Sequence, residues 1–238
     1  GLRVRHGSRG TARENRRVAE TIHRLRSRLP RKEGAKSVKP VLLVIAGPNG
    51  SGKTTVTKRL QQDKWGEGVE FLNPDDVAQT MFGGWNDKKA IQDAADWVQQ
   101  RRTELLHECK GIAFETVFSH ESKLEFLIDA KNAGYFIRLF FVGTESPEIN
   151  IRRVKGRVSK GGHDVPIEKI RSRYAKSLAN LIPGIEIADR AYVLDNSVDL
   201  EEAVLFARTR DGLLKKTYGT IPDWAAPMIE SLAVACDS

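Results

Sequence analysis

Cysteine is almost absent from this 238-residue sequence: Cys109 and Cys236 are the only two, far apart and in no C-x-x-C or other metal-ligand spacing. That scarcity argues against a disulfide scaffold and a cysteine-built zinc site, and both thiols are read as reduced and structural, as in a cytoplasmic protein. Long apolar runs are missing as well. None approaches the roughly 18 residues of a membrane span, and no apolar h-region follows the basic start as a signal peptide would require. No internal repeat or low-complexity tract appears. Acidic side chains are scarce at one end only: residues 1–39 hold 3 Asp/Glu against 13 Lys/Arg, whereas residues 40–238 hold 28 against 26. The formal charge of +8 therefore belongs to the first segment. The near-neutral remainder gives no reason to expect DNA or RNA as a partner.

What is present is concentrated in Val41-Leu42-Leu43-Val44-Ile45-Ala46-Gly47-Pro48-Asn49-Gly50-Ser51-Gly52-Lys53-Thr54-Thr55. Six apolar residues read as a buried strand, and the next eight fill every fixed position of G-x-x-x-x-G-K-[ST]. Glycines let backbone N–H groups turn inward on a phosphate, and the following helix presents its positive end. Lys53 reaches the β/γ oxygens, and the Thr54 hydroxyl ligates Mg²⁺. Gly47 through Thr55 are thus the cofactor-binding candidates, for a nucleoside triphosphate, ATP with Mg²⁺.

With 40% hydrophobic residues, the chain can bury one α/β domain over 40–238 behind a 1–39 appendage. In the appendage, Thr11-Ala12-Arg13-Glu14 has capping-box spacing and Val18, Ile22, Leu25 and Leu29 share one stripe, so a basic amphipathic helix is expected over 11–29 and a linker over 31–39. The helix either packs on its own domain, meets a partner as an inhibitory arm, or meets nucleic acid or membrane. Further on, Val69–Leu72 reads as a second strand stopped by Asn73-Pro74-Asp75-Asp76. Its carboxyl end belongs to the ligand crevice of a parallel sheet. Asp75 there is either a general base for an attacking hydroxyl or a cap for a helix starting at Val77. A long helix is expected over 86–109, with Trp97 packed in the core. A third strand over 112–116 then sets Glu115 and Thr116 at the crevice, where Glu115 binds acceptor hydroxyls or reaches Mg²⁺ through water. Helix 124–133, strand 135–142, a strand at 191–194, and helices over 200–208 and 224–233 complete the pattern. It reads as a doubly wound, mostly parallel sheet of five to six strands with helices on both faces.

A second informative segment runs from Ile151 to Tyr174: helix, Gly161-Gly162 loop, helix, with arginines on both sides. In small-molecule kinases such a lid, here about 150–175, folds guanidinium groups over the transferred phosphoryl. The alternative is a solvated basic helix pair. His163 reads as a hydrogen-bonder that fixes the loop.

Taken together, GPNGSGKTT at 47–55, NPD at 73–75, FET at 114–116, RVKGRVSKGGHDVP at 153–166, RSRY at 171–174, Asn180-Leu181 and DNS at 195–197 resemble the zeta toxin family of P-loop kinases, in its shorter chromosomal branch. The resemblance implies that Lys53 and Thr54 hold ATP and Mg²⁺ and that Asp75 is the catalytic base. It implies that Glu115, Thr116, Arg153 and His163 face the acceptor, and that Arg157 with Arg171 or Arg173 clamps the phosphates. It further implies a UDP-N-acetyl sugar acceptor phosphorylated on a sugar hydroxyl, and a small helical antitoxin as partner, a role the 11–29 helix would play in cis. Pro48-Asn49 replaces the Gln-Pro of plasmid-type members, and their longer C-terminal part is missing. The competing readings are a nucleoside or polynucleotide-end kinase, and a nucleotide-dependent ATPase or binding switch.

Overall fold

The computed structural model describes residues 39–83, 87–162 and 164–234. The helix expected over 11–29, its linker up to residue 38, His163 and Cys236 lie outside them. Strand β1 (Val41–Ala46) is buried from Leu42 onward. Parallel partners on both sides, β3 (Gly111–Thr116) and β4 (Phe136–Gly143), explain why its sequence is apolar without alternation. Strands β2 (Val69–Leu72) and β5 (Arg190–Asp195) extend the parallel set. An antiparallel hairpin, β6 (Val204–Arg210) and β7 (Leu213–Thr217), completes a seven-stranded sheet of order β2-β3-β1-β4-β5-β6-β7.

The helices are α1 (Lys53–Gln62), α2 (Pro74–Met81), α3 (Lys88–His107), α4 (Ser122–Asn132), α5 (Pro147–Val158), α6 (Ile167–Ala179), α7 (Leu181–Ile187) and α8 (Ala226–Val234). One face of the sheet packs Leu42, Val44, Phe141 and Val193 against Leu105, Leu127, Ile185 and Met228 of α3, α4, α7 and α8. The other face sets Leu43, Ile45 and Phe140 against Val56 and Leu60 of α1 and the ring of Trp65. Chain order reverses its direction of travel at β1, whose neighbours are β3 on one side and β4 on the other. That topological switch opens a crevice at the carboxyl ends of these strands.

The expectation of an α/β fold with a mostly parallel sheet and helices on both faces holds, and Trp97 packs against the core. Two readings are corrected. The sheet has seven strands, not five or six, and the helix expected over 200–208 is instead β6. Around a register shift at Val193/Leu194, Ala207 and Thr209 are buried while Arg208 and Arg210 are exposed. That is a strand period. Asp211 and Gly212, with φ of 51° and 80°, make the two-residue turn that sends the chain back as β7. Cys109 is a free thiol as expected, but it is exposed in the turn after α3 and packs no core.

Candidate active site

The loop from Gly47 to Gly52 follows β1 and is held from three directions. The Gly47 N–H donates to Thr116 O (3.2 Å), and a Cβ at Gly47 would stand 2.2 Å from Val142 O, so β3 and β4 grip its start. Gly52 caps α1 with φ 95°, and a Cβ there would stand 2.2 Å from Asn196 Nδ2. Both positions demand glycine on steric grounds. Asn196 Nδ2 donates to Ser51 O (2.8 Å), so the loop after β5 tethers the last turn of the cradle. Asn196→Ala leaves that carbonyl without its donor. The expected loss is about 1–2 kcal/mol of folding stability, read by urea denaturation.

Lys53 Nζ donates to Gly47 O and Pro48 O, each at 2.8 Å. Burial lowers its pKa from 10.5 to about 8; the Glu115 carboxylate opposes that shift and the Arg157 cation adds to it. The half-buried ammonium is thus held over the cradle by the loop carbonyls, with Glu115 as the carboxylate that favours its charge. Thr54 Oγ1 donates to Glu115 Oε2 at 3.1 Å, across 61 residues of sequence. Asn73, not Asp75, caps α2: its side chain accepts from the Asp75 N–H, and the helix begins at Pro74 rather than Val77. Asp75 is therefore on the first turn of α2, with its side chain exposed at the cleft.

These groups line one cleft of about 500 Å³, walled by Asn49, Lys53, Thr54, Asp75, Glu115 and Thr116 on the sheet side and by Arg153, Arg157 and Arg173 on the other. The arginine side is the helix pair α5 and α6. It carries a small core of its own, Ile151, Val154, Val165 and Ile170, and Tyr174 Oη donates to Thr144 O (2.6 Å), pinning α6 to the end of β4. Arg157 and Arg153 are one turn apart on α5, so both reach the same wall. The Arg153 donors are spent on structure: Nε on Asp199 Oδ1 (2.8 Å), Nη1 on Asn196 O (2.8 Å) and Nη2 on Val198 O (3.1 Å). It ties the arginine helix to the same loop that tethers Ser51. Arg173 enters the cleft, its Nη1 3.4 Å from Asn49 Oδ1. Arg171, two residues earlier and so on the far side of the helix, pairs with exposed Glu148 outside it.

Sequence reasoning missed Asn73, Asn196 and Tyr174. Asn73 was legible as an Asn-Pro helix start. Asn196 and Tyr174 stand in the DNS and RSRY segments, but they act across 145 and 30 residues, so their roles left no local signal. A second cavity, of about 200 Å³, adjoins the cradle beyond Thr55, between Val56 and Leu60 of α1 and Leu194 and Asn196 of the β5 end. Arg59 and Glu202 pair across its mouth at 2.6 Å.

Comparison with known proteins places this architecture. The native crystal structure of the AvrRxo1-ORF1:-ORF2 complex superposes with a TM-score of 0.59 at 16% identity, covering 95% of this chain and 73% of that one. The form of that complex with ATP gives 0.58 at 17% identity, covering 92% and 69%. These likenesses are of fold. An uncharacterized protein of Haemophilus influenzae is 29% identical over 136 residues, 56% of this chain and 91% of the relative. The family model described as zeta toxin matches residues 26–183, more than half of the chain and all of the cradle, the strand-end carboxylates and the arginine helices. This chain belongs to the zeta toxin family.

Proposed function

We propose that the cleft transfers the γ-phosphoryl group of ATP to a hydroxyl of a small acceptor. The observation that carries this reading is the convergence on one cleft of a phosphate cradle with its lysine, a strand-end carboxylate, an exposed aspartate and three arginines. Lys53 releases the loop carbonyls for the β/γ oxygens. Thr54 Oγ1 and Glu115 Oε2 are adjacent hard oxygen donors of the kind Mg²⁺ takes. They would hold a Mg²⁺ ion that neutralises phosphate charge. The base fits the second cavity beyond Thr55, closed by Arg59 and Glu202. Asp75 accepts the proton of the attacking hydroxyl, and Arg157 and Arg173 stabilise charge spreading over the equatorial oxygens.

For the acceptor we take the family resemblance as guide: a UDP-N-acetyl sugar, held by Glu115 and Thr116. A panel of UDP-sugars, nucleosides and oligonucleotides incubated with protein, ATP and Mg²⁺, then weighed by mass spectrometry, tests this. Phosphorylation of a UDP-N-acetyl sugar supports it; phosphorylation of another acceptor instead replaces the substrate. Restraint by a small helical antitoxin, or by residues 1–39 in cis, belongs to the same proposal. If the cis form holds, a chain lacking residues 1–39 binds ATP more tightly than the full chain in calorimetry.

The lowered pKa of Lys53 sets a pH dependence. Between about pH 8 and 10.5 the empty site has begun to lose its ammonium, whereas bound phosphates favour the charged form. Nucleotide binding therefore takes up a proton there, and affinity falls as pH rises, by up to about tenfold per unit. Calorimetry in buffers of different ionisation enthalpy should show proton uptake at pH 9 and almost none at pH 6.5.

A further inference from the structure

Net charge hides how the charges of this domain are arranged. The strand register sets Arg138 of β4 beside Arg190 of β5, and Arg190 beside Arg210 of β6. One pleat further along, it sets Tyr192 beside Arg208 and Arg208 beside Lys216 of β7. These five cations share the face of the sheet that carries Phe140 and Tyr192. Among the described residues, α1 and Trp65 cover that face, over β1 and β4, and Arg138 stacks on the Trp65 ring at their border (4.6 Å). The helix against β7 is α8, and its Met228 and Leu232 pack on the opposite side with Phe206 and Ala207. Arg208, Arg210 and Lys216 are exposed and Arg190 is half-buried.

Among the described residues, none of the five pairs with a carboxylate within 4.0 Å, although Arg59, Arg101, Arg152, Arg153, Arg171, Lys110 and Lys131 all do. Like charges directly opposite on neighbouring strands repel and lower stability. Strands lie about 4.8 Å apart, so the cations form a ribbon across four strands. We propose that this ribbon is a docking surface for the phosphate backbone of a nucleic-acid strand. A phosphate chain supplies regularly spaced anions with no pocket needed, which is what a flat cationic face can recognise. The ribbon lies toward the amino-terminal ends of β4 and β5, while the cleft lies at the carboxyl ends. A strand held there is tethered beside the kinase, outside its acceptor site.

The test uses the full chain, so that the basic residues 1–39 contribute equally to every variant. A fluorescein-labelled oligouridine is titrated by anisotropy at a series of salt concentrations against the parent, Arg208→Glu/Arg210→Glu/Lys216→Glu, and the neutral Arg208→Gln/Arg210→Gln/Lys216→Gln. The expected result is weaker binding by both variants, with a log–log salt slope shallower by about 2, since each lost phosphate contact removes about 0.7. ATP affinity stays unchanged with the oligonucleotide bound, and the neutral variant does not melt below the parent because cross-strand repulsion has been relieved. Equal affinity and slope for all three proteins would overturn the proposal. So would an oligoglutamate that binds the parent as tightly as oligouridine, which would assign the face to an acidic protein.

Discussion

Arg173→Ala is expected to leave ATP binding within about threefold of the parent and to lower phosphoryl transfer by about 10³–10⁵, the range measured where an arginine stabilises a transferring phosphoryl group. Three features single this arginine out. It enters the cleft, its guanidinium rests against Asn49 of the cradle, and its helix is pinned by the Tyr174 hydroxyl to the end of β4. The side chain is therefore delivered to the phosphates by a fixed support, which conserves the entropy that a mobile arginine would lose in the transition state. Arg171→Ala is the internal control. That residue makes an exposed, solvent-screened pair with Glu148, and its removal should change transfer by less than about fivefold. Steady-state kinetics on the two variants gives the comparison. Equal losses would return Arg173 to the role of a structural cation.

Asp75→Asn is expected to keep ATP affinity and to lower transfer by about 10²–10⁴, the usual worth of a positioned general base. The asparagine keeps the shape and cannot take the proton. Because Asn73 already caps α2, the folded structure does not depend on the Asp75 carboxylate. At most about 1 kcal/mol of helix-dipole stabilisation is lost with it. An Asp75→Asn protein that melts near the parent temperature and turns over at the parent rate would remove Asp75 from the chemistry.

Much of this was legible in the sequence because the decisive physics is local. A cradle needs glycines where Cβ atoms would strike Val142 and Asn196, and a strand buried on both faces must be apolar throughout, so Val41 to Thr55 declares itself. The arginine pair was half legible. Residues two apart on a helix face opposite ways, so Arg171 and Arg173 cannot both enter the cleft, but which one does depends on how α6 rolls against β4. Arg153 was legible only as a charge in a motif. Its partners Asp199, Asn196 and Val198 come from a loop more than 40 residues away, and they spend its donors on holding α5. The helix expected over 200–208 failed for a related reason. The Asp211-Gly212 turn that makes β6 a strand lies beyond the window in which Leu200, Val204 and Leu205 look helical.

A single turnover with γ-labelled ATP, protein in excess, and the best acceptor from the panel would follow the phosphoryl group itself. The account predicts that the label moves to the acceptor, that transfer needs the acceptor, and that it stops in Arg173→Ala and Asp75→Asn while ATP stays bound. Label appearing as inorganic phosphate at the same rate with or without any acceptor would contradict it and make the cleft a nucleotide hydrolase.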